Sequence, residues 1–294
     1  MASTFLPLLK VRNSFPMLKM RGSNMLNIKS ITTSVLLSTT ISASALAGST
    51  ITDGSILVGT DLSYPPYNYI DENGAPAGFD VELMTALAKR TELNITFLDT
   101  KFENLILGVN GQQFDVIAST LYVKPERAKK IDYVPYMKTG VSIAVASSSG
   151  KSFATLNDLC GQVVGSIKGA AWLEAFEEMN TGICAKNPID SREFPTSPEA
   201  TQALLSGGVD AQVEDSAVLG AAVDKLNGRL VISSKEQFYP VIVGLGVKKN
   251  NEALVNDLRV ALKGLEEDGT YTDLLKKYNL AKPSEEEFLK AVGQ

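Results

Sequence analysis

From residue 56 onward the chain alternates short β-branched apolar runs with longer amphipathic stretches, a rhythm that few architectures accept. Residues 56–60 (ILVGT), 94–98, 114–118 (FDVIA) and 141–146 (VSIAVA) read as strands. Residues 61–69 (DLSYPPYNY) read as a proline-stiffened loop and residues 71–74 as a turn. An amphipathic helix follows to about Arg90, with Val81, Leu83, Met84, Leu87 and Ala88 on its inner face, and a second covers residues 102–109. This order predicts an α/β fold with parallel strands joined by right-handed crossovers.

After Ser-Ser-Ser-Gly at 147–150 the rhythm starts again. It gives a short helix at 156–159, a strand at 162–167 and a helix at 169–179 with Trp172, Leu173 and Phe176 on one face. A strand at 192–194 leads to a helix at 197–205, with Ser197 as N-cap and Pro198 in the first position. Strands at 209–213 and 230–232 flank a helix at 215–226. Residues 241–247 (VIVGLGV) are a buried strand returning to the first unit, and helices at 251–265 and 271–278 pack back on it. The expected domains are residues 48–146 plus 240–294 as lobe 1 and 147–239 as lobe 2. Two crossings between two α/β lobes make a hinge with a cleft between them.

The first 47 residues hold five of the chain's 28 basic residues and none of its 33 acidic ones. An apolar, Ser/Thr-rich run at 31–46 ends in Ala45-Leu46-Ala47, a small-x-small cleavage site. We read a secretory signal cleaved after Ala47, from a start at Met1, Met20 or Met25. No cysteine follows the site, which argues against a lipid anchor. The remainder carries 23 basic and 33 acidic residues, a net charge of −10, which disfavours nucleic acid and anionic membrane surfaces as partners. Cys160 and Cys184 both survive cleavage, and an exported pair points to a disulfide, with two buried free thiols as the alternative. The chain contains no histidine, which excludes a Ser-His-Asp or Cys-His nucleophile system and a His-based zinc site.

Residues 114–137, FDVIASTLYVKPERAKKIDYVPYM, concentrate the candidate chemistry. Pro125 suits the first turn of a helix. Arg127 then lies beside the C-terminal end of a strand, where ligands of open α/β sheets bind. An arginine there can grip a carboxylate through two parallel charge-assisted hydrogen bonds. A surface arginine on a solvated helix is the other reading. The pattern of a strand, Ser119, a polar and an apolar residue, then Pro-Glu-Arg, an apolar-Asp-aromatic triplet and Pro-Tyr resembles the family 3 extracellular solute-binding proteins. These are the polar amino-acid receptors of ABC importers.

The resemblance covers nearly all of the chain after residue 47. It implies a two-lobed, type II periplasmic-binding-protein-like α/β fold with two hinge crossings, working as a periplasmic monomer without cofactor or metal. Its expected partners are an amino acid and an inner-membrane ABC permease. Arg127 matches the residue that holds the ligand's α-carboxylate and Asp215 the one that receives its α-ammonium. Tyr64 matches a stacking tyrosine and Phe102 an aromatic on the opposite wall, while core packing also explains Phe102. Asp61 matches a position facing the distal amine in binders of basic amino acids, and a turn cap explains it equally. Ser119 and Thr120 offer donors to a carboxylate. Tyr122 and Lys124 stand where the family commonly has serine or threonine. Lys168, Gly169, Ala170 and Ala171 align with a Gly-Thr-Thr-type loop, where Gly169 permits close backbone approach at a helix N-terminus. Glu214 competes with Asp215, for which helix capping is the alternative, and Asp210 looks structural.

The expected ligand is a polar, possibly basic, amino acid, with an opine-like or dicarboxylic derivative as the alternative. An exported enzyme like the cyclohexadienyl dehydratases, which resemble this fold, would instead use Lys124 or Lys168 with Asp61 or Glu214 in acid–base chemistry. A sensing module for a membrane receptor is a third reading.

Overall fold

A computed structural model describes residues 49–294. The expected signal segment, residues 1–47, lies outside the described residues. In chain order the first elements are β1 (Ser55–Thr60), β2 (Ser63–Tyr64), β3 (Asn68–Ile70), β4 (Pro76–Ala77), α1 (Phe79–Arg90), β5 (Asn94–Asp99), α2 (Leu105–Asn110), β6 (Val116–Ile117), α3 (Pro125–Ala128) and β7 (Ile131–Ala146). There follow β8 (Val163–Ile167), α4 (Leu173–Thr181), β9 (Asp190–Phe194), α5 (Ser197–Leu205), β10 (Ala211–Asp215), α6 (Ser216–Lys225), β11 (Leu230–Ile232) and β12 (Phe238–Lys248). The chain then turns to α7 (Glu252–Glu267), α8 (Thr270–Lys277) and α9 (Glu285–Ala291).

One curled sheet runs in the order β5-β1-β6-β12-β7-β10-β8-β9, with β11 beside β7. Its two ends are parallel, β5-β1-β6 in one half and β10-β8-β9 in the other, as the strand–helix alternation demands. The antiparallel pair β7 and β12 joins the halves. β7 pairs with β12 from Ile131, then takes β10 from Val141 and β11 along 144–146. One strand therefore serves both halves and changes neighbours midway.

The sequence suggested a strand only from residue 141, because 132–140 contains Pro135, Lys138 and Gly140. The structure extends it back to Ile131, since β12 offers a partner along the whole length. Pro135 is accommodated where the pairing slips, between Val243 and Gly244, and a bulge tolerates a residue that cannot donate.

Other differences have local causes. The expected loop at 61–69 folds into a small antiparallel sheet, β2-β3-β4, around a cis Pro65–Pro66 bond. The strand at 114–118 shrinks to Val116–Ile117, because the residues before it do other work. The Phe114 ring fills a slot between Gly59 and Gly108, where an added Cβ would lie 2.4 Å and 2.5 Å from it. The Asp115 carboxylate accepts from the Ile51 and Leu57 amides. Thr196, not Ser197, caps α5: its backbone is extended and its hydroxyl accepts from the Glu199 amide at 3.3 Å. α4 begins at Leu173 rather than 169, because Gly169, at φ +77°, opens a turn. α9 was not expected, although Ser284 and Glu287 form a capping box in the spacing such a box requires. The Cys160–Cys184 disulfide is formed, with Cα atoms 5.1 Å apart, and ties the approach to β8 to the segment after α4.

Candidate functional site

The ends of β1 and β6 and the small β2-β3 hairpin deliver one set of side chains to the seam between the halves. The turn after β8 and the end of β10 deliver the other. A narrow cavity of about 20 Å³, room for roughly one water molecule, lies between them. Tyr64, Phe102, Thr120, Tyr122 and Arg127 wall it from the first half, and Ile167, Ala170, Ala171 and Trp172 from the second.

Arg127 spans the seam. Its Nη1 donates to the Tyr122 carbonyl at 3.0 Å and its Nη2 to the Gly169 carbonyl at 2.8 Å. The guanidinium lies over the Phe102 ring, 5.6 Å from its centroid. Burial lowers its pKa from the ordinary value, but an arginine stays charged. Gly169 therefore meets the cation through its carbonyl, in a turn ahead of α4, rather than as an N–H donor at the helix start.

Glu214 and Asp215, at the end of β10, are fully buried behind a screen of tyrosines. The Tyr64 hydroxyl donates to Glu214 Oε1 at 2.5 Å. Asp215 accepts from the hydroxyls of Tyr122 (2.7 Å), Thr139 (2.8 Å) and Tyr67 (3.1 Å), and from the Ala217 amide at 2.9 Å, so it also caps α6. Burial raises both carboxyls against these donors, Glu214 to about 7. Burial and the neighbouring carboxylates push the Tyr64, Tyr67 and Tyr122 phenols well up, so they remain donors. Asp215 does not itself line the cavity; the Tyr122 ring stands between them.

Three expected ligand contacts are committed to the scaffold. Asp61 accepts from the Ser63 hydroxyl at 2.6 Å and the Phe102 amide at 3.1 Å, and its own amide donates to the Ser119 hydroxyl at 3.0 Å. Thr120 sits at φ +49°, a conformation a threonine rarely adopts. Its amide and hydroxyl both donate to Asp80, at 2.7 Å and 3.1 Å. Asp80, which no local pattern marks out, is fully buried and also accepts from Asn68 and Tyr136, each at 2.7 Å. Burial lifts its pKa to about 6.

Two lysines fasten the rim. Lys168 pairs with Glu103 of the opposite half at 2.6 Å. Lys124 pairs with Glu174 and donates to the Ala171 carbonyl at 2.9 Å. Asp210 stands apart from the seam, holding Lys151 at 2.5 Å and the Val163 amide at 2.9 Å. The arrangement thus sets a cation at an aromatic-walled cleft, with two buried carboxylates behind it.

The family described as bacterial extracellular solute-binding proteins, family 3, matches residues 56–281. The L-cystine-binding protein of Escherichia coli (strain K12) is 28% identical over 226 residues, covering 76% of this chain and 82% of that protein. Among solved structures, an ancestral arginine-binding protein bound to arginine superposes with a TM-score of 0.71 at 30% identity, covering 76% of this chain and 98% of that one. An ancestral amino acid-binding protein described as a precursor of cyclohexadienyl dehydratase gives 0.66 at 32% identity, covering 76% and 95%.

Proposed function

The chain belongs to the family 3 bacterial extracellular solute-binding proteins, and on that premise we propose that it captures a polar amino acid in the periplasm and delivers it to an ABC permease. Its fold is the two-lobed type II periplasmic-binding-protein fold of those relatives. The observation that carries the reading is Arg127, a cation reaching across the seam to a backbone carbonyl on the opposite half. A ligand carboxylate is a stronger acceptor than that carbonyl and takes two parallel bonds from the guanidinium. Asp215, reached when the Tyr122 and Tyr67 hydroxyls turn aside, receives the α-ammonium.

In this reading the lobes are residues 48–146 with 240–294, and 147–239, and they hinge where β7 changes neighbours. The pairing slip between Phe238 and Val241, opposite that change, supports the hinge. Tyr64 and Phe102 flank the side chain, with Ala170 and Ala171 giving it room. Asp61 acts through the Phe102 amide that it holds, which leaves basic side chains without a dedicated carboxylate there. The protein works as an exported monomer, its signal cleaved after Ala47, and its role is binding rather than catalysis.

A melting-temperature screen of the exported chain against the common amino acids and L-cystine tests this. A binder raises the melting temperature by mass action. Arg127→Ala abolishes that rise while changing the ligand-free melting temperature little. A rise retained in Arg127→Ala, or a screen without a single amino-acid binder, contradicts the assignment. Turnover of prephenate would move it to the dehydratases.

A further inference from the structure

Six described residues other than glycine have a positive φ, and five of them are exposed. The sixth is Thr120, which is buried and β-branched, the kind of side chain that resists the left-handed region most. Such a conformation persists only where the surroundings impose it. Here the Asp80 carboxylate imposes it. Its Oδ2 accepts from the Thr120 amide at 2.7 Å, the Thr120 hydroxyl at 3.1 Å and the Asn68 side-chain amide at 2.7 Å. Asn68 closes the ring by also donating to the Thr120 hydroxyl at 3.3 Å.

The residues after Thr120 carry the site. The Leu121 carbonyl accepts from the Gly244 amide at 3.1 Å, and the Val123 amide donates to the Ile242 carbonyl at 2.8 Å. Both bonds dock the segment on β12. Tyr122 lies between these anchors, with its hydroxyl on Asp215 at 2.7 Å and its carbonyl accepting from Arg127 Nη1 at 3.0 Å. A change of Thr120 to negative φ would swing Leu121, 1% exposed, off its bed and take from Arg127 the carbonyl that aims it.

We propose that Asp80 is a positioning residue for the site: it holds Thr120 in the left-handed conformation and, through Tyr122, aims Arg127. This rests on the reading of the cleft as an amino-acid site. Asp80 stands outside the cavity wall, while Thr120, Tyr122 and Arg127 all belong to it. A merely structural Asp80 would pin α1 to β3 and β7 through Asn68 and Tyr136. The two roles differ in whether the effect of losing Asp80 depends on the residue at position 120.

Four exported chains test this: the unaltered one, Asp80→Ala, Thr120→Gly and the double variant. Glycine takes a positive φ unaided, so Thr120→Gly removes most of the need for the clamp. The first readout is amide hydrogen exchange at Val123 and Gly244 without ligand. The second is calorimetric affinity for whichever of the common amino acids and L-cystine binds the unaltered chain most tightly. Asp80→Ala is expected to speed that exchange, relative to β1 amides, and to weaken binding, each by about tenfold or more. In the Thr120→Gly background the same change should cost about threefold or less. If Asp80→Ala does not fold, Asp80→Asn takes its place. It keeps one acceptor oxygen, and its loss, smaller but at least about threefold, should again shrink with Thr120→Gly. Equal losses with and without Thr120→Gly, or no loss, overturn the positioning role. An unaltered chain that binds no amino acid contradicts the reading of the cleft instead, and the exchange rates still decide the role of Asp80.

Discussion

At the scale of single residues, Glu214 is the group whose titration the fold perturbs most legibly. It titrates near 7 in the folded chain against an ordinary value of 4.5. A group whose pKa is raised on folding binds its proton more tightly in the native state. Its contribution to stability is complete below the ordinary value and is lost as pH rises through the folded one. The cost at pH 8 is on the order of 3 kcal/mol, from about 1.4 kcal/mol per unit. Asp80 adds a similar slope between 3.8 and about 6. The melting temperature should therefore fall between pH 5 and pH 8, and fall less steeply in Glu214→Gln, which still accepts from Tyr64. Parallel curves for the two proteins would assign the slope to other groups. In the sequence Glu214 is visible as a competitor of Asp215 and as an acid–base candidate, but not as a buried group. Its burial arises from the tyrosines of the β2-β3 hairpin, 150 residues away, and no local pattern encodes that contact.

At the scale of elements, the second half leans on a covalent brace. The Cys160–Cys184 bridge closes a loop with a sequence separation of 24 around β8 and α4, which carry the turn that meets Arg127. The chain-entropy account gives such a bridge roughly 3 kcal/mol. Reduction, or the Cys160→Ser, Cys184→Ser pair, should lower the melting temperature by roughly 6–12 °C for a chain of this size. Unchanged melting in reductant would show that the α4 packing suffices alone. Most elements were legible, because strands such as β1 and helices such as α1 carry their own periodicity. The start of β7 was not, since Pro135, Lys138 and Gly140 break its pattern and only its pairing with β12 makes it a strand. The start of α4 was misplaced for the opposite reason. Ala170 and Trp172 are apolar and buried, but they belong to a turn set by Gly169.

At the scale of the whole molecule, the seam between the halves carries several polar contacts beside an apolar cluster that runs from one half into the other. The Lys168–Glu103 and Lys124–Glu174 pairs sit at its rim and the tyrosine–carboxylate bonds behind. The rim pairs are partly exposed and so contribute little each, and less in salt. In the proposed hinge reading, a ligand at the seam favours the closed arrangement by the contacts it adds there. The expected outcome in solution scattering is a smaller radius of gyration with ligand than without. Raising salt should enlarge the ligand-free value more than the ligand-bound one. An identical radius under all conditions would argue against hinge closure.

Trp172 is the chain's one tryptophan, and it stands in the wall of that seam, 5% exposed, with its indole N–H on the Ser166 hydroxyl at 2.7 Å. Intrinsic fluorescence excited at the indole band thus reports one place only. In the proposed hinge motion, opening should wet the ring and move its emission to the red, and closure should move it to the blue. The protein carries its own optical gauge, so stopped-flow emission tests for the proposed closure without any label. Trp172→Phe is the dark control.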